Sequence, residues 1–322
     1  MTRWQVPVVL AAVVVGTALG LAFDLGDAPE RLVVPALVGL LALTFAGVNG
    51  RSFAEGIRPY PKVAAASLGI NFLWTPAFAG LLGWLLLSDH PDLRLGLVML
   101  LVTPCTDWYL VFTGTARGNV ALAASLLPPN LVLQLVLLPV FVTALTGSAA
   151  DVPLFELAVS VAVVLGIPLV VAAVVRFLAA RADAHDRLDR VLERAQPVGL
   201  GLLATAIVAI FATHARVVTD DPDAFVRLLA PLGAFFAVAY LMATGAARTL
   251  ALRYPERVTL TMTTLARNSP VALAIATVAF PDRPLVAVAL VAGPLVELPV
   301  LALTANRLTH GHHRKVERQC SL

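Results

Sequence analysis

Charge is scarce in this chain. Asp, Glu, Lys and Arg make up 13% of its 322 residues, about half the share in a soluble globular protein. The net charge of +3 carries no message about nucleic acid, because the basic residues follow the loops, as set out below. Cysteine is scarcer still. Cys105 lies mid-run and Cys320 lies in the C-terminal tail, so no disulfide joins them. Cys320 is third from the end, outside the prenylation pattern. No polar stretch is long enough for a soluble domain, which predicts one membrane domain over 1–322. HExxH, GxSxG and aspartate pairs on neighbouring spans are all missing. The expectation is therefore no enzyme and no cofactor.

What is present is apolar length. The chain is 59% hydrophobic with a mean hydropathy of +0.87, arranged in runs of bilayer-spanning length. Ten spans are predicted, at 4–23, 32–48, 63–87, 93–114, 120–145, 152–178, 198–218, 225–249, 258–280 and 285–306. The first is read as a span and not as a cleaved leader, because residues 17–20 make a poor cleavage site. With the N-terminus inside, 17 basic residues fall in inside segments and 5 in outside ones. The outside loops are acidic instead. That alternation supports ten spans in a cell membrane with both ends cytoplasmic. Residues 176–196 read as a solvated, ion-paired cytosolic helix. The tail 309–322, with His310, His312 and His313, reads as a disordered cytosolic end and not as a metal site.

Two spans are interrupted. Thr103-Pro104-Cys105-Thr106-Asp107 breaks the fourth, and Ala266-Arg267-Asn268-Ser269-Pro270 breaks the ninth. Proline removes a helical N–H and clashes one turn back. Five spans per half force the halves to insert with opposite orientation, an inverted repeat of 1–147 and 150–308. The predicted fold is an all-α membrane protein, with discontinuous helices four and nine crossing at the midplane. The spacing agrees: Pro104 to Gln134 is 30 residues, and so is Arg267 to Glu297.

On this map Asp107, Arg267 and Glu297 are the formal charges that lie deep inside spans, away from their ends. A charge at that depth costs on the order of 3 kcal/mol by insertion scales. An Arg267 bridge to one carboxylate would be structural. The other carboxylate must then be protonated or bind a cation in some state. Asp107, Glu297, Asn130 and Gln134 are the candidate ion-coupling residues. Cys105, Thr106, Arg267, Asn268 and Ser269 are the candidate substrate-binding residues. Cys105 has two readings: a small buried hydrophobe, or a thiol for a soft metalloid. Asn71, in a polar proline-kinked stretch ending at Pro76, reads as a helix–helix hydrogen bond. A sensor or scaffold would need no matched pair of broken helices.

At these residues the chain resembles the bile acid:sodium symporter superfamily, and within it the arsenite efflux permeases. The matches are Pro104-Cys105, the Leu273–Ala276 stretch, and Gly293-Pro294-Leu295-Val296-Glu297-Leu298-Pro299-Val300. The resemblance covers nearly the whole chain. It implies a secondary transporter, with metalloid recognition falling on Cys105. Where the family carries a glutamate after the second break, this chain has Ala272. That departure favours proton over sodium coupling. Arg267 at the break raises the alternative of a small organic anion, carried with sodium or protons. The partners implied are a metalloid oxyanion or organic anion, a coupling proton or sodium, and the lipid bilayer.

Overall fold

The computed structural model describes residues 2–23, 25–26, 28–47, 59–105, 108–146, 154–182, 184–213, 215–216 and 223–320. Thr106 and Asp107, both named above as site candidates, lie outside them. Every named element among the described residues is helical. In order these are α1 (Thr2–Ala22), α2 (Glu30–Gly47), α3 (Pro61–Leu86), α4 (Pro91–Leu101) and α5 (Trp108–Thr115). Then come α6 (Val120–Thr146), α7 (Leu154–Arg181), α8 (His185–Thr213) and α9 (Asp223–Thr249). The last three are α10 (Tyr254–Leu265), α11 (Ser269–Ala279) and α12 (Pro284–Cys320).

Among the described residues, five helices are long and apolar enough to cross a bilayer: α3, α6, α9, Leu157–Arg181 of α7 and Pro284–His310 of α12. Shorter apolar helices accompany them at Leu10–Ala22, Arg31–Gly47, Pro197–Thr213 and Ser269–Ala279. Phe155, Ile167, Val170 and Val174 stand exposed along α7, an apolar face suited to lipid. This is a multi-pass membrane protein. Only helices and closed barrels satisfy their own backbone in hydrocarbon.

The helices pack in two groups. One holds α1, α2, α7 and α8, with α1 on α8 and α2 on both α7 and α8. The other holds α3 to α6 and α9 to α12. α11 bears on α2 and α7, which joins the groups. Because lipid is as apolar as leucine, close approach between helices depends on small residues. A Cβ on Gly20 of α1 would lie 2.2 Å from the Ala212 carbonyl oxygen of α8. A Cβ on Gly96 of α4 would lie 2.6 Å from the Ala289 Cβ of α12.

Two details differ from the sequence reading. The tail expected to be disordered continues α12 as helix through Cys320. No proline follows Pro299, so nothing there ends the hydrogen-bond ladder. The 176–196 segment is helical as expected, but Arg176 is not merely solvated. Its Nε donates to the Ala46 carbonyl at the end of α2 (2.6 Å), and its Nη2 meets Asp189 on α8 at 3.3 Å.

Gly20→Ala should destabilise the protein by about 1–3 kcal/mol, read as a lower unfolding temperature in detergent. Gly166→Ala, where a methyl meets open space, should not. Equal unfolding temperatures for G20A and the parent would refute the close-packing account.

Candidate functional site

The site begins where two helices stop. α4 ends at Leu101, and Pro104 two residues beyond its cap has no N–H to continue the helix. α10 ends at Leu265, with Ala266 in extended conformation (φ −75°, ψ 134°). The two breaks meet each other. Cys105 N donates to the Ala266 carbonyl at 3.1 Å, and Asn268 N donates to the Thr103 carbonyl at 2.8 Å. Pro104 and Arg267 thus form a single antiparallel bridge between the two breaks. Backbone polar groups that a helix can no longer satisfy are satisfied by the other break.

New helices start directly beyond. Asn268 caps α11, its Oδ1 accepting from Val271 N at 3.2 Å, with Pro270 in the first turn where a missing N–H costs nothing. Ser269 Oγ donates to the Leu290 carbonyl of α12. On the other side Trp108 N donates to Cys105 Sγ at 3.3 Å, so the thiol sits at the start of α5. Cys105 is buried, 3% exposed.

Arg267 is fully buried. Its guanidinium reaches the ends of both broken helices. Nη1 donates to the Leu101 carbonyl at the end of α4 (2.8 Å), and Nη2 to the Thr264 carbonyl at the end of α10. Nη2 also donates to Asn71 Oδ1 of α3 at 2.8 Å. The Phe235 ring of α9 lies under the guanidinium, its centroid 5.3 Å from the central carbon. A helix C-terminus carries about half a negative charge, so two such ends match one guanidinium. This matching lets the cation sit at a depth where it would otherwise cost several kcal/mol.

Glu297 of α12 is also buried, and its Oε1 accepts the backbone N–H of Arg267 at 2.9 Å. Among the described residues, then, the carboxylate meets the arginine backbone and not its guanidinium. A side-chain bridge from Arg267 to Glu297 is therefore not what holds the crossing, and Asp107, the other carboxylate considered, lies outside the described residues. Asn130 and Gln134 of α6 are each 1% exposed. Among the described residues, both polar atoms of Gln134, and Oδ1 of Asn130, have no hydrogen-bond partner. Gln134 stands 30 residues after Pro104, as Glu297 does after Arg267.

Sequence reasoning read Asn71 only as a helix–helix hydrogen bond. Its Nδ2 does donate to the Thr263 carbonyl (3.3 Å), but its Oδ1 also holds Arg267. The signal was Pro76. It cannot donate to the carbonyl four residues back, and the helix widens to a π-turn over Ile70–Trp74 that carries Asn71. The carbonyls of Leu101 and Thr264, and the Phe235 ring, left no trace in residue type.

The comparisons with known proteins agree with this geometry. The sequence pattern of the Sodium Bile acid symporter family matches residues 34–221, more than half of the chain. The chain belongs to that family. It is also 27% identical, over 262 residues, to the Arsenical-resistance protein Acr3 of Corynebacterium glutamicum, covering 77% of this chain and 70% of that protein. A member of the sodium bile acid symporter family is a transporter and not an enzyme. The buried polar crossing is therefore the place to look for its solute.

Glu297→Gln keeps an acceptor for the Arg267 N–H and should leave stability nearly unchanged. Glu297→Leu leaves that buried donor unmatched and should cost about 1–3 kcal/mol. Unfolding of the two variants in detergent checks this, and equal loss in both would contradict it.

Proposed function

We propose that this protein is a proton-coupled efflux permease for arsenite and antimonite, with its solute site at the crossing of the two broken helices. The observation that carries the proposal is the pairing of Cys105 with Ala266 and of Asn268 with Thr103. It brings the Cys105 break beside the Arg267 break, whose backbone N–H meets the Glu297 carboxylate. The relative named for arsenical resistance supports the choice of solute.

The fold proposed is ten spans in an inverted five-plus-five repeat. The packing supports it. If α1 to α6 exchange with α7 to α12 half for half, the α1–α8 contact becomes α7–α2, and α2–α8 maps onto itself; all three are prominent. The broken pair α4 and α5 becomes the broken pair α10 and α11.

Chemically, arsenous acid at neutral pH is an uncharged trihydroxide with a soft centre. A thiol condenses with it: an As–S bond forms, and the thiol proton leaves with one hydroxyl as water. Hydrolysis reverses the step and releases the solute. Cys105 takes this role. The two remaining hydroxyls each donate and accept, which suits Asn130 and Gln134. Asn268 and Ser269 take part in binding, and Thr106, outside the described residues, is assigned the same role from its place in the sequence. Glu297 and Asp107 are the coupling carboxylates. The rival reading, a small organic anion meeting Arg267, has a guanidinium already engaged by three oxygens.

Two outcomes are expected. In inside-out vesicles, an imposed proton gradient should drive arsenite uptake, a sodium gradient should not, and Cys105→Ser should lower uptake at least tenfold. Movement of organic anions with arsenite left behind, unaltered in C105S, would overturn the proposal. Gln134→Leu removes an amide that has no partner at rest, so it should fold as stably as the parent. It should still lose about tenfold in arsenite transport, the worth of one hydrogen bond. Normal transport by Q134L would contradict the role given to that amide.

A further inference from the structure

The surroundings of the Arg267 guanidinium are those of a cation site. Two main-chain carbonyls, from Leu101 and Thr264, and the side-chain oxygen of Asn71 converge on it. Rings and strings of carbonyl oxygens are how proteins replace the hydration shell of a monovalent cation. Both carbonyls belong to helix C-termini, where the macrodipole favours positive charge. The Phe235 face adds a fourth side that attracts cations. Among the described residues the hydroxyl of Thr264 is buried with no partner, a further oxygen beside the same carbonyl. Among the described residues, too, no carboxylate hydrogen-bonds the guanidinium. The dipoles fixed by the two breaks attract a cation whichever one fills the space.

We propose that this cradle is a monovalent-cation site that the chain keeps permanently filled with its own arginine. The crossing then needs no dissociable ion to hold its two helix ends together. Truncating the side chain should turn the position into a real site for a small cation. The Nη–O contacts of 2.8 Å to Leu101 and Asn71 set its size. They suit guanidinium itself or potassium, whereas the smaller sodium would have to draw the carbonyls inward. The inference rests on the geometry of the crossing, and the identity of the transported solute does not enter it.

The test uses the purified full chain in detergent, melted in N-methylglucamine, sodium, potassium or non-denaturing guanidinium chloride at equal ionic strength. The parent should melt at one temperature in all four. Arg267→Ala should melt lower in N-methylglucamine and rise saturably with guanidinium or potassium. At a concentration 100-fold above the dissociation constant the rise should be roughly 5 °C. R267A as stable as the parent without small cations, or unstable and indifferent to all of them, would overturn the proposal. If R267A does not accumulate in membranes, Arg267→Lys carries the test. Its ammonium keeps the charge in the cradle, so R267K should accumulate and melt alike in all four salts. Failure of R267K to accumulate alongside R267A would show that charge is not what the position requires. Arsenite plays no part in the readout, so a wrong solute and a wrong cation site give different failures.

Discussion

Two helices that end in the middle of a membrane protein create a debt of unsatisfied carbonyls and aligned dipoles, and one guanidinium settles it. Arg267 binds the ends of α4 and α10 at once, and Asn71 orients it. Without that cation, the two negative helix ends would face each other across a short bridge in a medium of low dielectric. The same breaks gather the Cys105 thiol, the Asn268 and Ser269 side chains and the Glu297 carboxylate at the crossing, each engaged by a neighbour. These are the groups proposed to meet the solute.

Arginine plays the same part elsewhere. Arg94 donates to the Leu145 carbonyl near the end of α6, and Arg176 to Ala46 near the end of α2. Each cation sits on the negative end of a helix dipole, which is where a planar, five-donor group is worth most. With few carboxylates in the chain, backbone carbonyls supply the counter-charge that side chains do not. Glu297 fits the same economy, spending its oxygen on a main-chain donor.

Much of this was legible in the sequence, because the breaks are written in residue types. Pro104, and Pro270 with Asn268 before it, mark where helices stop and start. That the two breaks face each other was legible as well, and Cys105 with Ala266 and Asn268 with Thr103 join them. The partners of Arg267 were not legible. A carbonyl belongs to every residue alike, so nothing in Leu101 or Thr264 distinguishes them. Sequence reasoning looked for an ion pair with one of two carboxylates, whereas among the described residues Arg267 meets two helix ends and the Asn71 oxygen. The missing N–H of Pro104 was noted as a helix breaker. That Gln134 is buried with no partner among the described residues needed the fold to become visible.

The central claim is that the crossing opens to water and solute, and Cys105 reports on it directly. With Cys320 replaced by serine, Cys105 is the remaining thiol. In oriented vesicles, a membrane-impermeant maleimide should label it from at least one side, and prior arsenite should block the labelling. A Cys105 that stays unlabelled from both sides, yet reacts once the protein is unfolded, would mean that the thiol is packing and that the crossing is no solute site.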